Sequence, residues 1–317
     1  MVTIAMRSST GGLIDILGGG DVNLLGALLN VNGPLGGGSV RVGGDYMGSG
    51  SVRRARNTRM DANSRIFANA TDNGNGGRVI LWSDNQTDFY GQIQAKGGVN
   101  GGDGGFVETS GYKDLLVRGS VHANAPHGAN GQWLLDPTDV TIDAAYAATI
   151  VGSLNGGTNV TVNTNGSGGN GDITVSSAIS TTGAGSLTLN ADRNITVSAG
   201  ITLAGGSLTL RARANDGAQG YVSLGAAIST AGGNITVGGG SAAITAGSGY
   251  AIGDSALSTT RYGIYVAAVN INAGGGNIIL NGQGGTCTSS GNAGVMITSG
   301  GAVIRTSGTG TIDIYGT

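Results

Sequence analysis

Carboxylates gather at one place in this sequence. Asp136, Asp139 and Asp143 fall close together, and Glu108, the only glutamate of the chain, lies upstream. Paired carboxylates of this kind act as general acid and base in glycan cleavage. Asp136-Pro137 also reads as a turn opener, since Asp favours that position and Pro presets its φ. No Asp-Asp pair stands at strand spacing beside Arg or Lys to hold an acidic sugar, so no catalytic residue is assigned. His122 and His127 are the two histidines, separated by Pro126 in what reads as a loop. Zinc takes three or four placed ligands, so no metal site is assigned either.

Glycine motifs carry little weight. Gly97–Phe106 partly matches a calcium-binding nonapeptide, but that motif works in tandem copies and here it does not recur. Gly166–Gly171 fits a dinucleotide fingerprint by letters alone, because Asp172-Ile173-Thr174-Val175 after it reads as a strand. No cofactor is expected. Cys287 is the single cysteine, and no histidine lies near it in sequence to activate it. One charge cluster remains: Arg53, Arg54, Arg56, Arg59 and Arg65. A solvated loop is the default for such a run. The functional reading is contact with acidic glycans through Arg53, Arg54, Arg56 and Arg59.

The elements that position these residues follow from composition. Glycine supplies 65 of 317 residues, while Glu and Lys together supply three (Glu108, Lys96 and Lys113). Straight-chain helix formers are nearly missing, and Thr, Ser, Asn, Val and Ile stand in their place. That composition argues against a helical or α/β enzyme. A net charge of −2 with 11% charged residues builds no field to hold nucleic acid, so no nucleic-acid partner is expected. No apolar run approaches the roughly 18–20 residues of a membrane-spanning helix.

Repeats fill the second half. Blocks beginning at Ile179, Ile201, Ile228, Ile271 and Ile304 each read as a short strand, a glycine turn and a second short strand. Their starts differ by 22, 27, 43 and 33 residues, with 43 read as two steps. Stacked coils of a parallel β-helix have this pattern, here with about 20–22 residues per coil and about fourteen coils. Ile195, Val197, Leu208, Leu210, Ile235 and Val237 should face inward. Asn194, Asn234 and Asn277, each just before a strand, should form amide ladders between coils. Arg211–Tyr221 and Ala242–Arg261 interrupt the repeat and read as surface loops.

Residues 36–142 add a resemblance. Gly36-Gly-Gly-Ser-Val-Arg-Val, Gly76-Gly-Arg-Val-Ile-Leu-Trp, Gly104-Gly-Phe-Val-Glu-Thr-Ser-Gly111 and Gln132-Trp-Leu-Leu-Asp-Pro137 follow one another. The succession resembles the filamentous-haemagglutinin-type exoproteins of bacterial two-partner secretion, a group that includes the high-molecular-weight adhesins. That resemblance implies a right-handed parallel β-helix. It also implies export through an outer-membrane transporter and display outside the cell, where the protein attaches to host-cell or surface glycans and proteins. Residues 1–145 then form the family-specific segment and 146–317 the generic coils, in one continuous solenoid. The signal peptide and Asn-Pro-Asn-Gly-type secretion domain of such proteins are not in this sequence, which therefore reads as an interior segment. Two alternatives stand beside this one: a polysaccharide lyase or hydrolase on the same fold, and a truncated fragment without function.

Overall fold

The computed structural model describes residues 9–164, 169–254, 259–286 and 291–317. The fold is all-β, a parallel β-solenoid with one α-helix among the described residues. Two compact units divide the chain: one runs to Asp136 and includes Gly156–Val160, and the other holds Pro137–Asn155 and the residues from Thr161.

In the first unit each coil carries three short strands, and each strand pairs in parallel with its counterpart one coil further on. The first face stacks Leu13–Ile16, Ser39–Val42, Arg78–Ser83, Phe106–Gly111 and Gln132–Asp136. The second stacks Asp21–Leu24, Asn57–Met60, Gln86–Phe89 and Asp114–Val117. The third stacks Leu28–Asn30, Arg65–Phe67, Gln92–Gln94 and Ser120–His122. Alternation along each strand sends one set of side chains inward. Val40, Val79, Val107 and Trp133 thus form one fully buried row. Each such side chain contributes about 1.5–3 kcal/mol by leaving water. The Trp133 indole N–H donates to Thr109 Oγ1 at 2.9 Å, so the one polar atom of that row is paired.

Each coil closes through glycine. The N–H groups of Gly38, Gly77, Gly105 and Gly131 donate to the carbonyls of Val31, Ala68, Ala95 and Ala123 at 2.7–2.8 Å. A methyl group on Gly37, Gly76 or Gly104 would run into the carbonyl oxygen of Ala68, Ala95 or Ala123. The repeated glycine pair is thus a consequence of close backbone approach. The turn conformations that the composition suggested account for other glycines.

The second unit keeps three faces. One stacks Val140–Ile142, Ile173–Val175, Ile195–Val197, Val222–Leu224, Ile264–Val266 and Val295–Ile297. Another stacks Ile179–Ser180, Ile201–Leu203, Ile228–Thr230, Ile271–Asn272 and Ile304–Arg305. The last includes Leu187–Asn190, Leu208–Ala212, Ile235–Gly239, Ile278–Gln283 and Ile312–Gly316. Ile195, Val197, Leu208, Leu210, Ile235 and Val237 are buried, as their alternation with threonine requires.

Three expectations change. Ile228 pairs directly with Ile271, so the 43-residue step is one coil carrying an insertion rather than two coils. Strand-to-strand steps run from 21 residues (Leu187 to Leu208) to 43, and the described residues form fewer coils than fourteen. The asparagines act differently as well. Asn234 Oδ1 accepts from the Asn277 N–H at 2.8 Å and Asn277 Oδ1 from the Thr311 N–H at 2.9 Å. Asn194 belongs to another row, where Asp172 accepts from its N–H and its own Oδ1 accepts from the Tyr221 N–H. These rows run from side chain to backbone, satisfying corner N–H groups where the strand ladders stop.

The third change is a helix at Ala144–Asn155. Asp143 Oδ1 accepts from the Tyr146 N–H at 2.8 Å, capping it at the end where a carboxylate suits the dipole. Tyr146, Ala147, Ile150 and Leu154 form its buried side. The scarcity of Glu and Lys hid it, although Ala144, Ala145, Ala147 and Ala148 are the best helix formers available.

Candidate functional site

The outward side of the second face in the first unit is a polar strip. Its register aligns Asp21, Asn57, Gln86 and Asp114 in one row and Asn23, Arg59, Asp88 and Leu116 in the next. Amides tie the rows together: Asn57 Nδ2 donates to Asp21 at 2.9 Å, Asn85 Nδ2 to Asn57 at 2.9 Å, and Gln86 Nε2 to Asp88 at 2.7 Å. A shallow cavity of about 290 Å³ lies among Asp21, Asn57, Arg59, Gln86 and Asp88. The Asn57 amide and the Arg56 guanidinium hold the Asp21 carboxyl below the usual carboxylate range.

The four candidate arginines do not form one patch. Arg53 is exposed and lies against Gly19, whose missing side chain leaves room for the guanidinium. Arg54 turns the other way, stacking on Trp82 at 5.4 Å and pairing with Asp84 at 3.2 Å. Arg56 pairs with Asp21 at 3.0 Å. Arg59 stands on the strip itself, over the Tyr90 ring at 5.4 Å. Arg65 bonds to local carbonyls of Ala62 and Ser64. Tyr90 is a partner that the sequence reading missed, since only alignment of neighbouring coils brings it to Arg59.

Residues 43–54 form a strap over the outward side of the first face. Asp45 caps the 3-10 turn Tyr46–Gly48, and the chain returns through the Ala55 N–H bond to the Gly43 carbonyl. Gly48, at φ +64°, lies against the Trp82 ring, where any side chain would collide. Tyr46 meets Phe106 edge to face at 5.8 Å, and the Arg78 guanidinium lies over both rings. Beneath the strap, Ile80, Trp82 and Glu108 point outward by alternation yet are buried.

Glu108 accepts from the Met47 N–H at 3.0 Å. Burial pushes its carboxyl up to about 7, against the pull of the Met47 N–H, the Ser110 hydroxyl and the Arg78 charge; the Asp136 charge adds to the rise. With no exposed surface, Glu108 offers no approach to a substrate. The other candidate acids also serve the fold. Asp139 accepts from the backbone N–H groups of Asn170 and Asp172, and Asp143 caps the helix. Asp136 is buried on the strand next to Glu108, in register with Ser110.

His122 stands half-buried on the strand Ser120–His122, not in a loop, while His127 is exposed. Among the described residues no three metal-ligating side chains converge. Asp103, in the calcium-like segment, accepts from the Ala129 N–H at 2.8 Å. Arg211–Tyr221 and Ala242–Arg261 are tied together where Gly220 and Ile252 exchange backbone hydrogen bonds at 2.8 and 2.9 Å. Cys287 and Gly166–Gly168 lie outside the described residues.

A second concavity follows the coil-closing glycines. It is an open trough of about 870 Å³, floored by the glycines from Gly11 to Gly131 and walled by Leu13, Ser39, Arg78, Phe106 and Gln132 on one side and Asn75 and Asn130 on the other. Sequence reading treated those glycines as corners and did not foresee a groove. The signal was present in the equal offset of each Gly-Gly pair from its strand. Comparison with known proteins finds no family model that matches this chain and no curated protein that matches it.

Proposed function

We propose that this chain is a non-catalytic, adhesive shaft segment of an extracellular bacterial adhesin of the two-partner-secretion type. On this reading the full-length protein is exported through an outer-membrane transporter and attaches to host-cell or surface glycans and proteins. The observation that carries it is the use of the acids. Asp139 and Asp143 are spent on backbone N–H groups and Glu108 lies under the strap, while the outward strip with Arg59 and nearby Arg53 stays at the surface. Polar side chains repeated over successive coils suit attachment spread across many weak contacts.

The test is binding of the purified, fluorescently labelled chain to animal cells. Saturable attachment is expected, and Arg53→Gln/Arg59→Gln should reduce it severalfold with an unchanged melting temperature. A folded chain that binds neither cells nor glycan-coated beads overturns the adhesive reading and leaves a spacer.

A further inference from the structure

The trough has a ligand chemistry of its own. It runs across the strands, and four steps of about 4.8 Å make it roughly 19 Å long. Its floor has few donors to offer. The N–H groups of Gly37, Gly76 and Gly104 donate to the carbonyls of Asn75, Asp103 and Ala129 at 2.8–2.9 Å, and Gly38, Gly77 and Gly105 are bonded as described above. A peptide laid here as an added strand would gain little main-chain pairing from these glycines, which disfavours that mode of recognition. Arg78 is the one charged side chain of the lining. A nucleic acid brings a phosphate at every nucleotide, and one cation over this length neutralises too few of them.

What remains fits a sugar chain. Leu13 and Phe106 offer apolar surface, and Ser39, Asn75 and Asn130 offer hydroxyl and amide groups, along a length set by regular coil spacing. Pyranose rings have apolar faces and hydroxyl rims, and an extended glycan repeats its rings at close to the spacing of stacked strands. Arg78 is positioned before any ligand arrives. Its guanidinium lies over Tyr46 at 5.4 Å and Phe106 at 5.9 Å, its contact with Asp45 is loose at 3.9 Å, and its side chain is 47% exposed. Asp45 accepts its closer bond, at 2.6 Å, from Arg41. We propose that the trough binds an extended, sparsely acidic oligosaccharide, with one carboxylate on Arg78 and ring faces on Phe106. This deepens the adhesive reading by naming a seat for the glycan, separate from the polar strip that carries Arg59.

The experiment is isothermal titration of the whole chain with a linear hexamer that alternates uronic acid with neutral sugar. The same hexamer with its carboxyls reduced to alcohols is the control. A charge-assisted bond predicts that the acidic form binds about tenfold or more tightly. Arg78→Gln should bring the two hexamers within about twofold of each other. Ser39→Trp, which fills the trough, should remove binding of both while leaving the melting temperature unchanged. Equal affinity of the native chain for both hexamers overturns the proposal, as does full binding by a folded Ser39→Trp variant. Stronger binding of a strand-forming peptide or single-stranded DNA does the same. If Ser39→Trp abolishes hexamer binding but spares cell attachment, the trough assignment stands and cell attachment goes through the strip. If cell attachment fails while the hexamer still binds, the adhesive reading falls alone.

Discussion

Replacing Glu108 by Gln should stabilise this protein above neutral pH and leave it unchanged in acid. The native carboxyl rises from 4.5 to about 7 on folding, first because burial disfavours its charge. A rise of that size corresponds to about 3 kcal/mol between the two protonation states. The folded state therefore binds more protons than the unfolded chain between those two values. Stability from this group is fully present below about pH 4.5 and is lost as pH rises through about 7. Glutamine keeps an oxygen to accept the Met47 N–H and carries no charge to desolvate. Thermal unfolding followed by circular dichroism should give coincident melting temperatures near pH 4. Near pH 8 the variant should melt roughly 6–12 °C higher, from about 2–4 °C per kcal/mol. Glu108→Ala removes the acceptor as well and should be the less stable variant at both pH values. The contrary result is a Glu108→Gln variant destabilised near pH 8 while matching the native protein near pH 4. That outcome would mean the ionised carboxylate holds the strap.

Four further outcomes follow from particular contacts. Asp143→Ala removes the cap of the helix Ala144–Asn155 and should cost about 1 kcal/mol, read as a lower melting temperature that Asp143→Ser restores. Gly105→Ala drives a methyl group toward the Gly77 carbonyl and the Ala95 side chain, and should cost about 2–3 kcal/mol or more in denaturant unfolding. Asp172→Ala loses the bonds to Arg193 and to the Asn194 N–H; the pair is partly exposed, so about 1 kcal/mol is expected, less at high salt. His122 titrates below its ordinary value because of burial first and the Lys96 charge second. Its share of stability is thus present above about pH 6.5 and lost as pH falls. The imidazole resonance should shift its midpoint upward in Lys96→Gln.

The equivalent positions of the second unit were legible because each is the same small problem solved again. Ile179, Ile201, Ile228, Ile271 and Ile304 pair in sequence order, as their flanking glycine turns and alternating threonines imply. Coil length was not legible in the same way. A solenoid coil touches only its neighbours, so the chain between Ile228 and Ile271 can loop outward without disturbing the register. The strap stayed hidden for a related reason. Nothing local in Gly43–Arg54 says that Trp82 and Glu108 wait beneath it; those residues become neighbours only once Arg78–Ser83 and Phe106–Gly111 pair. Glu108 shows the limit most clearly. Its type suggested chemistry at a surface, and its position between strap and sheet makes it a buried group with a raised pKa.

The most direct test of attachment without turnover is one sensor experiment. The purified chain flows over a surface coated with the alternating uronate glycan, and surface mass is followed through binding and washing. The account predicts a saturable rise and a return to the starting baseline after release, cycle after cycle. A baseline that sinks with each cycle would show that the glycan is being cut, and a flat trace from the folded chain would show that it does not attach. Either result contradicts the account.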